Sequence, residues 1–151
     1  MNELSSDLNP IEAHAHCDGP CGVYDPASAR IAGEAVQSMT NKMLTLAETH
    51  GDARDSATYI NTMSRYVAIK EEEAQKCKDE LLILWTDFFK PQHLEGNPDL
   101  HDTFWKAAKL CSAVKLEVSE QHAQELMDAV KEIHEIFWKT KSRNVDWYTA
   151  S

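Results

Sequence analysis

Ser119–Phe137 reads SEQHAQELMDAVKEIHEIF, and this stretch decides the fold. Ser119 suits a helix N-cap, because its hydroxyl can accept a bond from an unpaired first-turn amide. Ala123, Leu126, Val130, Ile133 and Phe137 then recur at three- and four-residue intervals. That spacing lays one apolar stripe along an α-helix, with charged residues between. No segment of the chain shows the period-two alternation of a strand, and there is no internal repeat.

The same period extends backwards through the chain. Leu100, Phe104, Ala108, Cys111 and Val114 form a third apolar face, introduced by Asn97-Pro98 as cap and first-turn proline. A longer pattern runs from about Ser56 to Phe89 through Ile60, Met63, Val67, Ala74, Cys77, Leu81, Leu84, Trp85 and Phe88, and Pro91 ends it. The first helix starts at Asp25-Pro26, carries Ile31, Ala35, Met39, Met43 and Leu46, and stops near Gly51. Four helices with short connections predict an all-α, antiparallel up-down four-helix bundle over residues 25–140. The tail 141–151 is polar with two aromatics, and it either docks on a neighbour or stays loose.

Composition sets the outer limits. A chain of 151 residues with 42% hydrophobic residues suffices for one domain and one core. A formal net charge of −10 argues against nucleic acid, whose phosphates would be repelled. No apolar run is long enough to span a bilayer. Cys77 and Cys111 lie within helical patterns and read as buried apolar thiols. With no disulfide framework, a reducing, cytoplasmic setting is expected. His93, His101, His122 and His134 show no ligand spacing and read as structural, and His50 suits a helix end.

Four helices do not imply a function, so the chemistry must come from the opening segment. Residues 1–15 are acidic and polar, without the basic start and apolar middle of an export signal, and read as a leader. Ala13-His14-Ala15 has the small-x-small form of a cleavage site. Next comes His16–Pro26, HCDGPCGVYDP. If the chain is cut after Ala15, His16 gains a free amine. That amine and the Cys17 amide nitrogen close one five-membered ring on a metal, and the same nitrogen and the Cys17 thiolate close a second. Gly19 and Pro20 turn the chain so that Cys21 supplies a second thiolate. A planar N2S2 donor set favours nickel(II) or copper(II) over tetrahedral zinc. The His16 imidazole is left for a fifth, axial position, which suits the higher oxidation state of nickel and hence one-electron redox work. Residues 16–24 are therefore predicted to form an N-terminal metal-binding hook ahead of the bundle.

These residues resemble the nickel-hook motif of the nickel-containing superoxide dismutases. The similarity continues through Asp25-Pro26, LWTDFFKP (84–91), PDLH (98–101) and IFWKTK (136–141), and the acidic leader is most similar to the cyanobacterial branch. The resemblance implies conversion of superoxide to oxygen and hydrogen peroxide by Ni(II)/Ni(III) cycling, with one nickel ion per subunit. It implies a maturation peptidase that exposes His16, and a homohexamer of four-helix bundles. It makes His16, Cys17 and Cys21 the nickel ligands and places Tyr24 at the open face as a catalytic residue. Asp18 would brace the hook, and Lys90 would hold it against the bundle.

The chain also departs from the actinobacterial pattern, in which a glutamate and an arginine brace the axial histidine. Ala32 and Glu73 align with those two positions, so Glu73 is expected to reach the His16 imidazole directly and fix its tautomer. Phe88 stands where a second tyrosine is otherwise found.

Simpler readings remain beside these. Cys-x3-Cys is also half of a zinc site or a reversible thiol clip, which would make the chain a helical assembly module. Glu73 in KEEEAQKCKDE fits a solvated helix face, and Lys90 fits a helix-end cation. The negative net charge also poses a problem for an anionic substrate. A fast enzyme needs a locally positive entrance, for which Lys90, with Lys109 or Lys115 from neighbouring subunits, is a candidate.

Overall fold

The computed structural model describes residues 21–151, all of whose regular structure is helical. The leader 1–15 and His16, Cys17 and Asp18 of the hook lie outside the described residues. The helices are α1 (Ala27–Thr49), α2 (Ala57–Ile83), α3 (Leu100–Leu116) and α4 (Glu120–Thr140). α1 packs on α2 and α4, and α3 packs on the same two, which is the closed ring of neighbours of a four-helix bundle. Among the described residues no helix is long and apolar enough to cross a membrane.

α4 is built as its sequence reads. The Ser119 hydroxyl accepts the His122 amide at 3.2 Å, and Ala123, Leu126, Val130, Ile133 and Phe137 are fully buried. Each of the four larger side chains contributes about 1.5–3 kcal/mol on leaving water. The α3 face is likewise buried from Leu100 to Val114, but that helix begins two residues after Pro98. Asn97-Pro98 instead forms the preceding turn, where the Asn97 carbonyl accepts the Leu100 amide at 3.1 Å. At the start of α1 the Asp25 carboxylate accepts the Ala27 amide at 2.8 Å.

α1 and α2 depart from the predicted stripes. Ile31, Ile60 and Val67 are exposed, and the α1 core face runs instead through Ala29, Ala32, Val36, Thr40 and Met43. On α2 the buried stripe is Lys70, Ala74, Cys77 and Leu81. The Lys70 ammonium group donates to the carbonyls of Val114, Lys115 (3.1 Å) and Glu117 (3.4 Å). It therefore satisfies carbonyls that the end of α3 leaves without helical partners. A buried lysine is tolerated because its donors are matched.

α2 does not run unbroken to Phe89. Its last turn widens into a π-helical turn over Leu84–Phe88, closed by the Phe89 amide on the Leu84 carbonyl at 3.0 Å. Such turns often occur at functional sites. Here the widening delivers Phe88, Phe89 and Lys90 to one end of the bundle.

The tail docks on its own bundle. The Val145 carbonyl accepts His134 Nε2 at 2.8 Å, and the Arg30 guanidinium lies 4.3 Å from the Tyr148 ring centre. The Ala150 and Ser151 amides and the Ser151 hydroxyl all donate to Glu34 Oε1 at 2.7 Å. Burial of Glu34 raises its pKa, but those three bonds and the Arg30 charge outweigh it and hold the group below its ordinary 4.5. A depressed folded-state value means that the anchoring is complete above 4.5 and fades as pH falls through the lower value. The Ala150 and Ser151 amide NMR signals are therefore expected to titrate together with a midpoint below 4.5, and Glu34→Gln is expected to abolish that titration. A midpoint above 4.5 would contradict the anchoring.

Candidate metal centre

The described chain begins at Cys21, which is exposed. Gly22 follows with φ +64°, a left-handed conformation that costs other residues about 1–2 kcal/mol. This reversal turns the chain toward the bundle. Val23, Tyr24 and Asp25 then line a small crevice with Ser28, Glu80, Ile83 and Leu84, so the root of the hook lies between the start of α1 and the end of α2.

Tyr24 is half-buried. Its ring centre lies 5.6 Å from that of Phe88, which stacks at 5.7 Å on His93 and packs 4.9 Å from Phe89 and 4.5 Å from Phe137. Pairs at such separations are worth about 0.5–1.5 kcal/mol beyond their burial. Next to them opens a depression of about 400 Å³, lined by Gly22, Tyr24, Asp87, Phe88, Lys90, Gln92, His93, Thr140 and Lys141. Lys90 is placed by a reciprocal pair of bonds. Its amide donates to His93 Nδ1 at 3.0 Å, and its carbonyl accepts the His93 amide at 2.9 Å.

The structure therefore brings Tyr24 and Lys90 together beside the root of Cys21. It places Glu73 elsewhere on α2, seven residues before Glu80, or about 10 Å along the helix. The Glu73 carboxylate lies 3.7 Å from Lys76 Nζ. Within the same chain Lys109 stands over the Trp105 ring, Lys115 donates to Gln75 at 2.6 Å, and neither is among the residues that line the depression. Lys141 does line it, and sequence reasoning passed over it because a lysine at a helix end is ordinary.

The remaining thiols are held apart from this chemistry. Cys77 and Cys111 are fully buried. A hydrogen bond to Cys111, then burial, then the charges of Cys111, Glu73 and Glu80 push the Cys77 thiol well above its ordinary value. A thiol so raised is a poor nucleophile and a poor ligand. Among the described residues no three metal-binding side chains converge, and Cys21 is the thiol open to a metal.

Residues 11–141 match the family model of the nickel-containing superoxide dismutases. The chain belongs to that family. It is 39% identical over 131 residues to a nickel superoxide dismutase of Streptomyces seoulensis, covering 87% of this chain and 92% of that protein. It is 37% identical over 131 residues to that of Streptomyces coelicolor, with the same coverage of both chains. The native structure of a nickel superoxide dismutase superposes with a TM-score of 0.72 at 38% identity, covering 85% of this chain and all of that one. A structure with nickel ligation of the oxidised state gives the same TM-score and coverage at 40% identity. Family membership carries superoxide dismutation with a nickel cofactor and displaces the zinc-module and thiol-clip alternatives. The donor chemistry fits, since the exposed Cys21 follows Gly19-Pro20 in the sequence and precedes a left-handed glycine.

Gly22→Ala tests the reversal. Its Cβ would meet nothing within 4 Å, so the penalty is conformational only. Nickel affinity of the processed chain is expected to fall about 5- to 30-fold, the equivalent of 1–2 kcal/mol, with the bundle's melting temperature unchanged. Competition with a nickel chelator and a thermal melt check this; equal affinity in the two proteins would show that the reversal is not needed for binding.

Proposed function

We propose that cutting after Ala15 makes residues 16–24 the working nickel hook of this dismutase. The observation that carries the proposal is that Gly22 and the half-buried Tyr24 line the depression directly after the exposed Cys21, in a chain whose family match spans the hook sequence. The His16 amine and imidazole, the Cys17 amide nitrogen and thiolate, and the Cys21 thiolate would hold the metal. When bound, nickel supplies a one-electron couple that takes an electron from one superoxide and gives it to another. The chain's own residues do the rest. Tyr24 narrows the approach and presents its phenol oxygen to ordered water. Phe88 adds no second phenol, so any side-chain proton relay rests on Tyr24 alone. Asp18 braces the hook, and Lys90 holds it against the end of α2.

The free amine is the point on which loading turns. In the uncut chain that nitrogen is part of a peptide bond, a far weaker donor. Chain beginning at His16 is expected to bind one nickel per subunit and to dismute superoxide, and the 151-residue chain to do neither. Elemental analysis and a cytochrome c competition assay decide this; equal nickel and equal activity in the uncut chain would sink the proposal.

Glu73 is proposed to bond the far nitrogen of the His16 imidazole when the hook closes, exchanging its loose contact with Lys76 for that role. Glu73→Ala is expected to change the EPR spectrum of the oxidised metal and lower activity about 10- to 100-fold. An unchanged spectrum with unchanged activity would remove Glu73 from the site.

A peptidase would perform the maturation cut. Six copies are proposed to assemble, which the exposed Ile31, Ile60, Val67 and Trp105 support, since apolar side chains of this kind favour burial between subunits. A cytoplasmic setting is proposed to suit the unbridged thiols of Cys77 and Cys111.

A further inference from the structure

The geometry points to Lys141 as the residue that, with Lys90, turns the mouth of the hook locally positive and draws in small anions. This deepens the proposed function and rests on it for the identity of the anion, superoxide.

The overall charge of −10 makes the average field repulsive. At the depression the balance reverses. Lys90 and Lys141 line it, opposed there by Asp87 alone. Lys141 comes from the end of α4, 51 positions after Lys90 in the chain, so only the fold brings the two together. Its position is specified as well. The Lys141 Nζ lies 5.3 Å from the ring centre of Phe88 and 5.2 Å from that of Phe137, both within the range of a cation–π contact. Among the described residues no carboxylate is ion-paired with it, so its charge is not spent on an internal partner. Phe88 also carries Tyr24 on its edge, which ties the cation to the gate. Lys141 is a positioning residue, acting on the approach of the anion through its field.

The test uses a readout independent of nickel. In the full-length, metal-free Cys17→Ser chain, Cys21 is the accessible thiol, since Cys77 and Cys111 are buried. Its reaction rate is measured with dianionic 5,5′-dithiobis(2-nitrobenzoate) and with neutral 4,4′-dithiodipyridine at low salt. One unit charge at about 10 Å in water changes a local anion concentration about twofold, so a dianion should feel about fourfold. Lys141→Gln is expected to lower the anionic rate by about that factor and leave the neutral rate alone. Lys141→Arg should restore it, and 1 M salt should erase the difference. In the processed, nickel-loaded enzyme, Lys141→Gln should lower kcat/KM about twofold at low salt and flatten its salt dependence, at unchanged nickel content. An unchanged ratio of anionic to neutral rates overturns the inference whatever the enzyme does. A reduced ratio in a chain that never takes up nickel supports the local field and overturns the nickel hook instead.

Discussion

The seat of Tyr24 against Phe88 is the contact on which the rest depends. The hook is a short segment ending at residue 24 and has too few side chains to bury a core of its own. Whatever order it has must be borrowed from the bundle, and in the described chain Tyr24 packs on Phe88 while Val23, Tyr24 and Asp25 line the crevice between α1 and α2. Phe88 is itself fixed from three sides, by Phe89, Phe137 and His93. That cluster exists because the π-helical turn rotates the end of α2, and because α4 contributes Phe137 from its most regular buried stripe. A perturbation of α4 far from any metal ligand would therefore reach the site through Phe137.

Much of this was legible in the sequence, and the illegible part has a common cause. α3 and α4 bury the apolar residues their spacing predicts, and the only buried polar side chain that α4 adds is His134, paired with the tail. α1 and α2 defeat the simple pattern where charged groups go inside. Lys70 occupies the α2 stripe because α3 ends beside it with unsatisfied carbonyls, and Glu34 is buried because the tail brings amides to it. Neither partner is visible in the local period of the helix that carries the charge. The same holds at the site. Cys21 and Tyr24 belong to a contiguous motif and can be read directly, whereas Lys141 acquires its place only when α4 packs beside the end of α2.

The two classes of thiol show how the fold divides labour. Cys77 and Cys111 are sealed within the core, with the Cys77 pKa raised, and so are protected from the peroxide that the reaction releases. Cys21 is exposed, as the metal-ligand role proposed for it requires, and exposure also makes it vulnerable. In that proposal its shelter comes from a narrow approach beside Tyr24.

Phe88 ties the remaining points together. A tyrosine at this position would add a second phenol to the proton supply, but this chain gives that up. What the phenylalanine retains is a ring face with partial negative charge, on which Lys141 rests, and an edge against which Tyr24 packs. Lys141 is exposed, and its two ring contacts fix where its charge stands rather than removing it from water. Under the proposed reading, the site has one phenol, that of Tyr24, and a cation whose position Phe88 helps to set. For a small anion approaching a protein of net charge −10, a cation held in place at the depression bears on the encounter step, whereas the phenol bears on the proton supply.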